Sequence, residues 1–210
     1  MAAVKEHPMH ALAAFLPEKS FDKVVYYLHH YKVHLTVTRE RKSVLGDYRN
    51  AVQGKNHRIT VNINLNKYAF LITLLHELAH LLTYEKYGHR VAAHGKEWKS
   101  IYGNLLADFV GKQIFPADIE EELKQSLINP AASSCAEESL MRVLRRYDDK
   151  KEHVVLVEEI KLNELFATKD GRIFRKGEKL RKRFRCTEVK TGLVYLFSAI
   201  YEVLPVGVRK

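Results

Sequence analysis

The protein has 210 residues, of which 46% are hydrophobic and 29% are charged, and its formal net charge at pH 7 is +10. This length fits one domain, or one domain with a small appendage, and the composition excludes wholesale disorder, a collagen-like chain and a disulfide-stapled miniature. The excess of Lys and Arg favours polyanionic partners such as nucleic acid.

Three features of the sequence predict a cytoplasmic protein that does not enter a membrane. The longest predominantly apolar run, 68–75, is much shorter than the roughly 20 residues of a membrane-spanning helix. The first residues lack the basic-then-apolar order of a secretory signal. Two cysteines, Cys135 and Cys186, are too few for a disulfide framework, which indicates a reducing compartment.

The chain begins with one predicted helix and three predicted strands. Apolar residues recur at helical spacing between Phe21 and Leu28, and the spacing then changes to the alternation of β-strands. Strands are expected over 33–37, 45–49 and 59–65. Three short neighbouring strands indicate an antiparallel meander with one face packed on helices.

Three more helices are predicted after these strands. Asn66 is a suitable N-cap for a helix that begins at Lys67 and stops before Gly88. A second helix is expected over 97–110. A third is expected after Pro116, where acidic residues occupy the first turn.

A run of small and turn-forming residues, 129–136, separates two parts of different character. We therefore expect a domain over 1–128, a linker over 129–138 and a β-rich C-terminal module over 139–210. Turn-forming glycines and apolar runs predict several short strands in this module.

The excess positive charge is concentrated in the C-terminal module. Between Gly171 and Lys190 there are nine Lys or Arg residues and two acids, a balance of +7. Eight of the basic side chains are candidates for phosphate contacts, with Phe174 or Phe184 available for base stacking. The eight are Arg172, Arg175, Lys176, Lys179, Arg181, Lys182, Arg183 and Arg185. The alternative is a solvated basic hairpin whose aromatic rings belong to the core.

The segment His-Glu-Leu-Ala-His, 76–80, carries the clearest chemistry. His76 and His80 are four residues apart on a predicted helix, so both imidazoles can reach one metal ion, for which zinc is the natural choice. Glu77 is adjacent to the pair and suited to act as general base on a zinc-bound water. Since the helix is otherwise apolar, the alternative is three satisfied polar groups in a core.

A third ligand must come from elsewhere in the sequence, and the candidates downstream are Glu85, His89, His94 and Glu97. Glu85 is expected on the same helix, pointing away from the two histidines. The motif variant with a glycine at 83 and a histidine at 86 fails, because Thr83 and Lys86 occupy these positions. His89 and His94 both remain candidates, although Gly95 gives His94 a flexible turn.

The predicted strands, the motif at 76–80 and the segment His-Gly-Lys-Glu-Trp, 94–98, together resemble the SprT-like family over about residues 15–112. This family includes the Spartan and Wss1 proteases, which act on DNA–protein crosslinks. The resemblance implies an α+β fold with a zincin-like metalloprotease domain, in which His76, His80 and His94 bind one Zn²⁺ ion and Glu77 is the base.

The C-terminal module departs from the family pattern. Many SprT-like proteins end in a zinc ribbon with four cysteines, whereas this region contains only Cys186. A four-cysteine zinc site is therefore impossible, and we expect a degenerate ribbon-like or small-barrel module held by aromatic residues. Cys186 and Cys135 are expected to be structural or incidental, and Trp98 a core anchor.

The leading functional hypothesis is a zinc-dependent endopeptidase that acts on DNA-associated or DNA-crosslinked proteins. Its expected partners are protein substrates and DNA, single-stranded or crosslinked, bound independently of sequence. The strand over 59–65 is a candidate edge for an extended substrate. The alternatives are a nucleic-acid- or ribosome-binding protein with a structural or idle metal site, and another metal hydrolase such as an amidase.

Overall fold

The computed structural model describes residues 9–41, 44–52, 54–128, 137–149 and 153–207. The chain divides into two compact units, Met1–Asp148 and Asp149–Lys210. Taken over both units, the described residues form helices and small sheets, a mixed α+β architecture. Within the described ranges, none of the helices combines the length and apolar content that crossing a bilayer requires.

The first unit contains two short 3₁₀ helices, five α-helices and a three-stranded sheet among its described residues. In chain order the elements are the 3₁₀ helix His10–Phe15, α1 Phe21–His30, β1 His34–Thr38, β2 Gly46–Arg49, β3 Arg58–Asn62, α2 Lys67–Tyr87, α3 Lys96–Ala107, α4 Ala117–Ile128, α5 Glu138–Leu144 and the 3₁₀ helix Arg145–Tyr147.

Helix α2 forms the centre of the first unit. Asn66 caps its N-terminus, because the side-chain Oδ1 accepts hydrogen bonds from the N–H groups of Tyr68 and Ala69. Gly88 ends it with a φ of 59°, a conformation that favours glycine. Most of the helix is buried, so it packs against β2, β3 and α3 on several sides rather than along one stripe. These helix limits confirm the sequence prediction.

The three-stranded sheet corrects the expected antiparallel meander. Its order is β1–β3–β2, with β1 parallel and β2 antiparallel to β3. Strand β3 takes the central position because Ile59 and Val61 are fully buried, whereas the residues of β1 and β2 are half-buried or exposed. Alternating hydrophobicity gives the buried face of each strand but not its neighbours or direction.

Strand β3 is also shorter than predicted and is not an edge. It ends at Asn62, whose buried side-chain amide donates to the carbonyl oxygens of Arg41 (3.2 Å) and Val44 (2.9 Å). Beyond it the chain turns, and Ile63 is exposed. Because β1 and β2 pair with its two sides, β3 has no free edge to which an extended substrate could add.

Helix α5 packs in the first unit, although the sequence suggested a C-terminal module over 139–210. Leu140, Val143 and Leu144 belong to the same hydrophobic core as α2. The side-chain amide of Asn66 donates to the carbonyl of Leu144 (2.9 Å) and to the carboxylate of Asp148 (2.6 Å). Most of the expected linker, 129–136, lies outside the described residues, as does Cys135.

The second unit is a six-stranded antiparallel sheet around a small aromatic core. The strands are β4 Val155–Leu156, β5 Leu165–Ala167, β6 Ile173–Leu180, β7 Arg183–Glu188, β8 Val194–Ser198 and β9 Glu202–Pro205, in the order β4–β9–β5–β6–β7–β8. The buried cluster includes Phe166, Phe174, Phe197 and Cys186. Cys186 therefore fills the core.

Lys176 is a buried cation on the inner face of this sheet. Its ammonium donates to the carbonyl oxygens of Glu158 and Ile160 and lies 4.2 Å from the centre of the Phe184 ring. Burial lowers the pKa of Lys176. The side chain is thus occupied in the core, which corrects its assignment as a phosphate-binding residue.

We predict that Lys176→Met destabilises the second unit by about 1–3 kcal/mol, because the buried carbonyl of Ile160 and the half-buried carbonyl of Glu158 lose their donor. Lys179→Met is the matched control, since Lys179 is exposed on the same strand. Hydrogen exchange of the β6 and β7 amides in the full chain measures the effect. Equal protection in the two variants would contradict the structural role of Lys176.

Candidate metal centre and cleft

Three histidines from two parts of the first unit converge at one point. His76 and His80 lie one turn apart on α2, and His94 lies in the loop before α3. The ligand atoms of the three residues all lie within 4.8 Å of one another, and the Nε2 atoms of His76 and His94 are 3.3 Å apart. The cluster could hold a metal ion.

The loop that carries His94 has ordinary backbone geometry. Gly95 has a φ of −70°, so the turn does not use the conformational freedom that the sequence suggested. Instead, the Gly95 N–H donates to the carbonyl of Ala92 (3.0 Å), and the Lys99 N–H donates to the carbonyl of Gly95 (3.0 Å). These hydrogen bonds hold His94 at the start of α3.

The Trp98 ring packs against all three imidazoles. Its ring centre lies 4.7 Å from that of His76, 5.2 Å from that of His80 and 4.8 Å from that of His94. The indole is fully buried and stacks on Tyr102. This packing agrees with the expected role of Trp98 as a core anchor and restricts the orientations of the rings.

The other three ligand candidates, Glu85, His89 and Glu97, lie outside this cluster. A carboxylate oxygen of Glu85 lies 3.2 Å from Nε2 of His57. The Nδ1 atom of the same imidazole accepts a hydrogen bond from the Ala51 N–H (3.2 Å). Glu85 is therefore engaged with His57. His89 is exposed, and its ring packs edge-on against Tyr84.

Glu77 is buried beside the histidines and lies against β2. Burial raises the pKa of its carboxyl group to about 8, the negative charge of Asp47 adds to the rise, and Arg41 opposes it. A carboxyl group with a raised pKa can take up a proton near neutral pH. Neither Asp47 nor Arg41 was singled out from the sequence, because no local pattern links them to Glu77.

A cleft of about 750 Å³ opens onto these residues. Its walls include His76, Glu77 and His94, and β2 runs along one side. The Leu45 carbonyl accepts from the Asn62 N–H on β3 (2.9 Å). In an antiparallel pair, successive residues direct their N–H and C=O groups alternately towards and away from the partner strand, so those of Gly46 point away from β3. They lie on the free edge of β2, the side on which no other described strand pairs with it.

Acid should destabilise the metal-free protein through the histidine cluster. Burial and the neighbouring histidines lower the pKa of His76 to about 3 and of His80 to about 4, and burial also lowers that of His94. The unfolded chain therefore binds more protons below about pH 6.5, so stability is present above this pH and is lost as the pH falls towards 4. Glu77 acts in the opposite direction, because its raised pKa favours the folded state in acid.

We therefore predict that chelator-treated Glu77→Gln, which lacks this opposing group, has a Tm that falls steadily from about pH 7 to about pH 4.5. Replacing His76 and His80 by Gln in the same background should flatten the profile. Thermal unfolding followed by circular dichroism provides the measurement. An equally steep profile without the two histidines would assign the acid sensitivity to other groups.

The candidate basic side chains lie on the surface of the second unit, with one exception. Seven of the eight candidates, all except Lys176, are exposed on or between β6 and β7 or just before β6. Phe174 is fully buried and Phe184 is half-buried, so Phe174 cannot stack on a base. Some of the charge is engaged within the unit, since Arg172 Nε donates to Asp170 (2.9 Å).

Comparison with known proteins identifies one family. Residues 12–115 match the sequence model of the SprT-like family. Comparison with the curated proteins and comparison with the solved structures gave no match. The matched segment contains β2, α2 and the loop with His94, which together form the cleft.

Proposed function

Because the chain belongs to the SprT-like family through residues 12–115, we propose that it is a zinc-dependent endopeptidase with a zincin-like catalytic domain. The observation that carries this proposal is the convergence of His76, His80 and His94 next to Glu77 in a cleft bordered by a free strand edge. A purely structural metal site would not need a buried carboxyl group beside its ligands.

The donor set fits zinc. Four ligands at about 2.0–2.1 Å in a tetrahedron are separated by about 3.3–3.4 Å. The Nε2 atoms of His76 and His94 already have this separation, 3.3 Å, and the ligand atoms of all three histidines lie within 4.8 Å of one another. The lowered pKa values of His76 and His80 keep both rings neutral at pH 7, the form that binds metal. Three protein ligands leave a fourth position open, as catalytic zinc sites require.

A zinc ion bound here would supply a Lewis acid that lowers the pKa of water in the open position to about 7. Glu77 would accept a proton from the attacking water and later donate it to the leaving amine. Burial raises the pKa of Glu77 in the metal-free site, and the positive charge of a bound zinc ion would oppose this rise and favour the ionised carboxylate that can act as a base.

An extended substrate would bind along β2 rather than β3. Gly46 and Tyr48 alternate with the residues that hydrogen-bond to β3, and within the described residues no other strand pairs with their N–H and C=O groups, which could therefore bind a further strand. Main-chain hydrogen bonds of this kind accept many sequences, which suits an enzyme that acts on unrelated proteins. The free edge lines the same cleft as Glu77.

The direct test of the proposal is cleavage of a basic DNA-binding protein by the purified full chain, with zinc measured on the same sample. Cleavage that disappears with a chelator and returns with Zn²⁺ is the expected result. A chain that binds stoichiometric zinc but cleaves neither this protein nor unfolded casein would overturn the proposed activity.

We further propose that the exposed basic side chains of the second unit bind DNA and bring the enzyme to DNA-associated or DNA-crosslinked proteins. With Phe174 buried, phosphate contacts would provide the affinity, and binding would be independent of sequence. Arg183 and Arg185 are exposed on alternate positions of β7 and point to the same face.

We predict that Arg183→Gln with Arg185→Gln weakens binding to a single-stranded oligonucleotide. The slope of log K against log salt should fall by about 1 for each phosphate that the variant no longer binds. Lys169→Gln is the control, because Lys169 is exposed but paired with Glu202 at 3.1 Å. Fluorescence anisotropy over about 50–200 mM salt gives both quantities. Unchanged affinity and slope would show that the surface with Arg183 and Arg185 does not bind DNA.

A further inference from the structure

Strand β2 approaches α2 most closely at a glycine. A Cβ atom at Gly46 would lie 2.7 Å from Oε1 of Glu77, 2.8 Å from Cγ of Glu77 and 2.8 Å from Cγ2 of Thr73. Real Cβ atoms essentially never come within 3.0 Å of such neighbours. Even the smallest side chain at this position would therefore overlap with Glu77.

The backbone conformation of Gly46 does not require glycine. Its φ lies outside the left-handed region, and the residue pairs in regular antiparallel register with Val61. The described glycines with positive φ, such as Gly88 and Gly171, have open space where a Cβ would be. Gly46 is thus the opposite case, in which close approach of strand and helix excludes a side chain.

The atoms around Gly46 have little freedom to move away. Thr73 is fully buried in the interior of α2, and β-branched side chains in helices have restricted χ1 angles. Glu77 is 6% exposed. Outward movement of β2 would break its pairing with β3, whose Val61 is fully buried. An added methyl group would therefore displace mainly the Glu77 carboxylate, the one flexible partner.

We infer that Gly46 is a positioning residue for Glu77. Because Gly46 has no side chain, the Glu77 carboxylate can lie directly against the backbone of β2, and this contact fixes its position beside the three histidines. A loss of kcat on replacing Gly46 rests on the proposed function, whereas the contact between Gly46 and Glu77 does not. The N–H and C=O groups of Gly46 also lie on the free edge of β2. A substrate strand on that edge would be aligned by the same residue that sets the position of the base.

The kinetic test compares Gly46→Ala with Gly103→Ala in the full chain. Displacing the base by about 1 Å should lower kcat on the order of 100-fold, with KM and zinc content unchanged. At Gly103 an added Cβ would lie 3.1 Å from the carbonyl oxygen of Leu127, so this control is also crowded but does not contact Glu77. Loss of kcat in both variants, or in neither, would overturn the inference.

A thermodynamic test does not depend on any activity. Gly46→Ala should lower the Tm by several degrees in the wild type but by clearly less in a Glu77→Ala background, where two of the three close atoms are missing. If Gly46→Ala alone does not fold, recovery of a folded chain by adding Glu77→Ala supports the inference.

Equal losses of stability in the two backgrounds, or a double variant that also fails to fold, would show that Gly46 acts on the fold and not on Glu77. If the wild type shows no peptidase activity, the proposed function fails. The difference in Tm loss between the two backgrounds still tests whether Gly46 contacts Glu77.

Discussion

Replacing Glu77 by Gln should lower kcat by about 10²–10⁴-fold while the full chain retains one zinc ion. Gln has nearly the same size as Glu and should fill the same place beside Gly46, but it cannot accept the proton of the attacking water. Because the three histidines remain intact, metal binding should not change. Peptide cleavage and metal content, measured on the same preparation, separate the two effects.

Glu97→Gln is the matched control for this substitution. Glu97 lies in the first turn of α3, outside the residues that line the cleft, and its carboxylate is 3.9 Å from Lys96. Wild-type turnover is expected for this variant. Undiminished turnover in Glu77→Gln would exclude Glu77 as the base, and loss of zinc would mean that the residue supports the metal site instead.

Replacing His94 by Ala should abolish metal binding at micromolar concentrations, whereas His89→Ala should leave it intact. The two histidines are five residues apart and both line the cleft, but only His94 lies with His76 and His80. Loss of a direct ligand should reduce affinity by more than the roughly 10–100-fold that follows loss of a supporting residue. Peptidase activity should disappear with the metal.

The single tryptophan provides the measurement for this pair of variants. Trp98 lies about 5 Å from each imidazole, so Co²⁺ bound at the cluster should quench its fluorescence. Titration of metal-free protein with Co²⁺ should give a saturable decrease in the wild type and His89→Ala but not in His94→Ala. A saturable decrease in His94→Ala would remove His94 from the ligand set.

Local features were predictable because they depend on residues close in sequence. The limits of α2 followed from Asn66 and Gly88, and the structure places the helix at Lys67–Tyr87. The shared face of His76 and His80 followed from helical geometry alone. The strand alternation predicted over 33–37, 45–49 and 59–65 was likewise local, and strands were found at His34–Thr38, Gly46–Arg49 and Arg58–Asn62.

Contacts between distant segments were not predictable from these patterns. Period-two alternation is the same for parallel and antiparallel neighbours, so the parallel pairing of β1 with β3 was missed. Spacing left His89 and His94 equivalent, and family resemblance favoured His94. A count of basic residues could not separate Lys176, which is buried, from the seven exposed side chains around it.

The sequence by itself determined the pair of histidines on α2, the carboxylate beside them and the basic character of the second unit. Only the tertiary structure brought His94 to the pair, made β2 the free edge of the cleft and placed Gly46 against Glu77. The physical reason is that helix caps and periodicity act over a few residues. The close approach of strand and helix instead depends on packing between segments that are about 30 positions apart in the chain.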